Sequence, residues 1–387
     1  MRHLVLGLLV DLPRKNCWTI AEWAGETTPD AMQHLPSRAK WDADAVRDDL
    51  RAYVVEHLHD DQAVLVVDET GDVKRGSHTV GVQRQYTGTA GRIENSQVAV
   101  CVVCAGRRGH TALDRELCIP RSWTDRPDRC RAAGLYPDTA FANRPELAAH
   151  MITRFLDSGQ RVRWVAGDKV YGGNLKLRAA LKERATGYVL AVARTHEVTT
   201  GAGTFRADTL AKKLPKRAWQ KLSARAGAKG QRLYNRAHID LPSIASDHHH
   251  LLIRRNRSTG ELAYYRCYSP QPVPLTALVR VARSRWMVEE TFQSGKGPGR
   301  PGRASAPPLY ALVPLGHSRP ARPCLPGRRP RRRAPPPPRT RRLDTADVQR
   351  NPATLQRTVR ELMSVSPLRK GQAGWSRGCR AATAVAG

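Results

Sequence analysis

Between residues 63 and 193 the chain alternates short apolar runs with polar turns and helix-length segments, and this alternation restricts it to a sheet covered by helices. Residues 63–67, 98–103 and 113–119 read as three successive strands. The middle run is almost continuously apolar, which is expected of a strand buried on both faces near the centre of a sheet. A helix over about 145–158, a strand over 162–166, a helix over about 174–184 and a strand over 188–193 follow. The expected fold class is α/β, a mixed sheet flanked by helices.

The flanking regions differ. Residues 1–60 carry helix-length amphipathic patterns. The clearest covers 43–57, where Ala45, Leu50, Val54, Val55 and Leu58 fall near one face. This helical N-terminal segment suits either a small DNA-binding element or a helical cap over a core. The first ten residues resemble a short signal sequence but lack a small-residue cleavage site, and are read as a cytoplasmic amphipathic helix. Residues 194–270 look like an insertion, with a basic stretch over 212–232 and strand-like pieces at 251–254 and 262–268. A helix over 275–293 closes the ordered region, its apolar positions fitting one face only loosely. After Lys296 the composition changes abruptly: residues 297–343 hold 13 of the chain's 27 Pro, 12 Arg and no Asp or Glu. Such a Pro/Arg-rich tail, 297–387, is expected to be disordered. It reads either as a basic arm or, preferably, as GC-rich coding DNA translated out of frame.

Three acidic positions carry chemistry. Asp68 follows the apolar run Val64-Leu65-Val66-Val67, and Asp168 follows Val165-Ala166-Gly167. A carboxylate at the end of a buried strand is held rigidly where a divalent cation can take oxygen ligands; capping of the following turn is the plainer explanation for each residue alone. Glu289 lies on the last helix, four residues after Arg285 and seven before Lys296, so all three share a face. Glu290 is its rival, set aside because it loses that register. Cys101 and Cys104 form C-x-x-C, but residues three apart on a strand point to opposite faces, so core thiols are expected rather than zinc ligands. His248-His249-His250, after Asp247, read as a solvated loop able to bind metal in vitro.

Together, VVDETG, VAGDKVYG and RWMVEETFQSGK, with GVQRQYTGTAGRIENSQVAV and ELAYYRCYSP, resemble the bacterial cut-and-paste insertion-sequence transposases. Those enzymes carry a DDE triad on a ribonuclease H-like fold, and three strands, helix, strand, helix, strand is the order of that sheet. Their Y-x2-R-x3-E-x6-K signature is matched by Arg285, Glu289 and Lys296, while Ala282 stands where the Tyr would be. The resemblance runs from about Arg14 to Lys296 and implies a domain over 61–296. It also implies a β-rich insertion before the last catalytic helix, in agreement with the 121 residues from Asp168 to Glu289. It further implies that Asp68, Asp168 and Glu289 hold Mg²⁺ (Mn²⁺ as an alternative), that Arg285 and Lys296 contact DNA phosphates, and that a homodimer pairs two element ends. Relatives of this kind carry more chain before Arg14, so the start looks clipped.

Composition agrees with a polyanionic partner. The 387 residues carry 65 Lys+Arg against 34 Asp+Glu, a formal charge of +31, which favours double-stranded DNA, here the element's terminal repeats and its target. No stretch reaches the roughly 18 apolar residues of a membrane span. The 8 scattered Cys suit a reducing, cytoplasmic setting. Two rival functions share the carboxylates or the charge: a catalytically dead DNA-binding remnant, and a ribonuclease H-like structure-specific nuclease. A basic nucleic-acid packaging protein fits the α/β alternation poorly.

Overall fold

The computed structural model describes residues 2–295, apart from 11, 13–15, 38–41, 136–138, 228–229 and 244–246. Lys296 and the expected disordered tail lie outside the described residues. The described residues divide into two compact units, the first ending at Gln33 and the second beginning at His34. In the first, α1 (Arg2–Leu9) packs on α2 (Cys17–Trp23) at Gly7, where a Cβ would come within 2.4 Å of the Ile20 side chain. Asn16 and Thr19 close a capping box at the start of α2. α3 (Asp30–Ser37) follows.

The second unit opens with α4 (Ala43–Leu58) and β1 (Val64–Val73). Then come β2 (Gln83–Thr87), β3 (Arg92–Gly106), β4 (Gly109–Leu117) and the short α5 (Arg121–Thr124) and α6 (Pro127–Ala132). Next are α7 (Arg144–Asp157), β5 (Trp164–Gly167), α8 (Lys169–Gly172), α9 (Leu175–Glu183) and β6 (Gly187–Val192). The segment expected as an insertion supplies β7 (Glu197–Thr200), β8 (Gly203–Arg206), α10 (Ala207–Lys213), β9 (Gln220–Gly227), β10 (Gly230–Leu241), β11 (His248–Asn256) and β12 (Leu262–Ser269). α11 (Leu275–Ser284) and α12 (Trp286–Gly295) complete the unit.

The sheet runs β2-β3-β1-β5-β6-β12-β11-β10-β9, with β4 also on β3. β1, β3 and β4 pair antiparallel, whereas β5 lies parallel to β1, and β6 parallel to β5. The order β4-β3-β1-β5-β6 is the ribonuclease H-like arrangement that the strand and helix sequence predicts. β3 is paired on both sides as its apolar run demands, but it is not the centre of the sheet. β5 and β6 take that place because the insertion's strands extend the sheet through β12. The insertion is thus β-rich as expected, and four of its strands are continuous with the core sheet.

Two apolar layers cover the sheet. On one face Leu65, Val67, Val102 and Leu190 meet α4, α7, α8 and α9 through Val54, Met151, Phe155, Tyr171 and Leu177. On the other, Val64, Val66, Cys101 and Ala166 meet α11 and α12 through Leu278, Val281, Val288 and Phe292. Cys101 and Cys104 fall on opposite faces as strand periodicity predicts, both buried, and desolvation pushes each thiol up to about 12. In α4, Leu50 is 55% exposed, contrary to the expected apolar face, and Arg51 is buried instead. Arg51 reaches the buried Asp114 at 3.0 Å, which Arg154 also binds at 2.8 Å. The expected closing helix over 275–293 is two helices, α11 ending at Ser284 with Arg285 as its cap, which explains why its apolar positions fitted no single face.

Candidate functional site: carboxylates at the ends of two parallel strands

β1 and β5 stay paired as far as Val67 and Gly167, so Asp68 and Asp168 are the next residue on each strand. Asp68 does not end its strand. β1 continues to Val73 along β3, with Asp68 opposite Cys101, because β3 is long enough to keep pairing after β5 has stopped. Side chains alternate along a strand. Asp68 therefore shares the face of Val64 and Val66, the face covered by α11 and α12, and Glu69 points the other way.

On that other face Glu69 is fixed by two partners. Arg144 Nη1 donates to Oε1 at 2.6 Å, and the fully buried Tyr171 hydroxyl donates to Oε2 at 2.9 Å. This clasp joins the VVDETG block to the VAGDKVYG block. Glu69, Arg144 and Tyr171 were missed by reasoning from the sequence, although strand periodicity already places Glu69 opposite Asp68.

Asp168 does cap the turn, as the plainer reading of such a residue anticipated: its Oδ1 accepts from the Val170 amide at 2.7 Å at the start of α8. Two glycines position it. A Cβ on Gly167 would come within 2.9 Å of Val67, and one on Gly172 within 1.9 Å of the Ala191 carbonyl oxygen, so α8 lies directly on the backbone of β6.

The electrostatics of Asp68 follow from its burial. The residue is 9% exposed, and desolvation pushes its carboxyl up from 3.8 to about 7, opposed by the Glu69 amide and the Arg285 guanidinium and reinforced by the negative charges of Asp168 and Glu69. Arg285, half-buried at the break between α11 and α12, is thus electrostatically coupled to Asp68.

Glu289 lies half-buried in the first turn of α12, beside the buried Val288. Glu290 points away from the aspartates, its Oε2 3.3 Å from His110 Nε2 on β4. His110 pairs with Ala105, which in turn pairs with Val64, so this contact sits at the start of β1, four residues along the strand from Asp68. Among the described residues the three carboxylates do not converge within a single ligand shell: the one group of three metal-ligating side chains with ligand atoms within 4.8 Å of one another is His238, Asp240 and His250. The structure brings Asp68, Asp168 and Arg285 together. His248-His249-His250 begin the strand β11, which corrects the expected solvated loop.

A ribonuclease H-like sheet with aspartates just past the paired stretch of two adjacent parallel strands defines a class of nuclease. The chain belongs to the DDE superfamily endonucleases, whose family model matches residues 1–229. It is also 29% identical over 198 residues to the probable transposase for insertion sequence element IS701 of Microchaete diplosiphon, a match covering 51% of this chain and 49% of that protein. The match thus spans about half the length of that curated relative. Both findings bear out the resemblance to an insertion-sequence DDE transposase, and Glu289 lies beyond the end of the family-model match. Among the described residues no helix is long and apolar enough to cross a membrane.

Proposed function

We propose that this chain is a transposase that cleaves and joins DNA at the ends of an insertion sequence, with Asp68, Asp168 and Glu289 as its acidic triad. The observation that carries the reading is the register of β1 and β5, which sets Asp68 and Asp168 side by side. The donor set fits a hard divalent cation such as Mg²⁺ or Mn²⁺: all ligands are carboxylate oxygens, and burial, with a smaller contribution from the neighbouring Asp168, raises the Asp68 carboxyl at a place where a bound cation would favour its ionised form. DDE endonucleases use divalent metal ions, and a cation so held supplies Lewis acidity at a phosphodiester.

The rest of the work falls to the chain's own side chains. Asp68 and Asp168, anchored by the sheet and by the α8 cap, fix the ligand positions. The Glu69 clasp holds β1 and α8 in one arrangement. Arg285 is placed to neutralise a phosphate near Asp68, and Lys296 is assigned the same role from its spacing. The insertion adds exposed positive charge through Lys212, Lys213, Lys216 and Arg217, within the basic stretch over 212–232. A phosphate backbone is a fitting counter-charge, and binding would then weaken steeply with salt. A homodimer bringing two DNA ends together completes the proposal.

The test is nicking of a duplex taken from the DNA that flanks the coding sequence, with a four-way junction in parallel. Mg²⁺-dependent nicking of the duplex, lost in Asp68→Asn with binding retained, is the expected result; undiminished nicking by that variant refutes the triad. Preference for the junction would instead indicate a structure-specific nuclease. Binding that persists while neither substrate is cut would instead indicate a DNA-binding remnant without cleavage.

A further inference from the structure

We propose that His238, Asp240 and His250 form a second metal site, for a transition metal of the zinc class, on the β10–β11 pair of the insertion. Asp240 lies directly opposite His250, and His238, two residues earlier on β10, is opposite Leu252, so the three side chains share one face of the sheet. His250 Nδ1 is 2.7 Å from Asp240 Oδ1, and His238 Nε2 is 3.7 Å from the same oxygen. All three ligand atoms lie within 4.8 Å of one another. Ligands about 2.0–2.2 Å from a tetrahedral ion are roughly 3.3 Å apart, and the two observed separations bracket that value.

Hydrogen bonding accounts for only part of this cluster. It explains the approach of His250 to Asp240, but 3.7 Å is too long for His238, which still turns its ring nitrogen toward the same oxygen. His250 Nε2 is buried without a partner among the described residues, so Nδ1 is the nitrogen that faces ligands. The Asp240 side chain is 78% exposed and that of His238 35%, leaving the remaining coordination position open to water.

Two imidazoles with one carboxylate select Zn²⁺, Co²⁺ or Ni²⁺ over Mg²⁺ and Ca²⁺, unlike the all-oxygen set at Asp68 and Asp168. Four strands, β5, β6, β12 and β11, lie between β1 and β10, so the two sites are roughly 24 Å apart at about 4.8 Å per strand. A metal here would tie β10 to β11 and does not depend on the proposed transposase chemistry.

The experiment titrates Zn²⁺ into tag-free full-length chain with excess Mg²⁺ present, following heat of binding and melting temperature. Asp68→Asn, His238→Ala and Asp240→Asn are compared; the last two alter partly or largely exposed side chains, and circular dichroism checks that each variant keeps its fold. One Zn²⁺ bound equally by wild type and Asp68→Asn, with affinity lower by at least about tenfold in His238→Ala and Asp240→Asn, supports the site. Equal Zn²⁺ affinity in all four proteins, or loss in Asp68→Asn alone, overturns it.

Discussion

Asp68→Asn should stabilise the metal-free protein at alkaline pH, an unusual direction for the loss of a buried charged group. Burial holds the Asp68 carboxyl at about 7 in the fold against 3.8 ordinarily. The folded state therefore keeps a proton that the unfolded state releases, and stability falls as pH rises from about 4 to about 7. At about 1.4 kcal/mol for each pH unit the ceiling on that loss is about 4 kcal/mol, and relaxation around the carboxylate reduces it to the order of 2–4 kcal/mol. Asparagine keeps the shape and carries no charge. In chelator-treated protein, urea unfolding should give similar stabilities for wild type and variant at about pH 3.5, below the unfolded carboxyl's titration, and a gain for the variant near pH 8. Mg²⁺ should reverse the order by stabilising the wild type more. A variant less stable than wild type at both pH values would refute the reasoning, since Asp68 would then not be penalised by burial, and one equally stabilised by Mg²⁺ would refute its role as a metal ligand.

Two further substitutions probe the scaffold. Gly172→Ala places a methyl against the Ala191 carbonyl oxygen, so urea unfolding should show a loss of about 1–3 kcal/mol, and the shift of α8 should shrink the Mg²⁺-induced rise in melting temperature. Asp114→Ala leaves the buried Arg51 and the half-buried Arg154 without their shared carboxylate, whose side chain is 1% exposed, and should cost about 3 kcal/mol in the same measurement, Arg154 keeping Glu116.

The core of the site was legible in the sequence because strands declare themselves locally. Val64 to Val67 and Val165 to Gly167 are apolar enough to be buried on both faces, and an aspartate following each could be placed without knowing the pairing. What pairing adds was not legible. Nothing local to Glu69 reveals that it meets Arg144 and Tyr171, contacts 75 and 102 residues away in the chain. Leu50 and Arg51 exchanged expected roles because the partner of Arg51, Asp114, is supplied by a strand 63 residues later. The division of the last helix was hidden for a different reason: Arg285 keeps helical backbone angles at the break, so no glycine or proline marks it. The histidine run was misplaced because polar residues in a strand look like a loop until the neighbouring strand supplies Asp240 and His238.

The path of the chain also sets a timetable. Asp68 and Asp168 are made early, and the whole of β7 to β12 must follow before α12 delivers Glu289, 121 residues after Asp168. At about 5–20 residues per second, a ribosome needs roughly 6–24 s to cover that interval. For that time the nascent protein carries two of its three proposed acids, and β6 lacks its sheet neighbour β12.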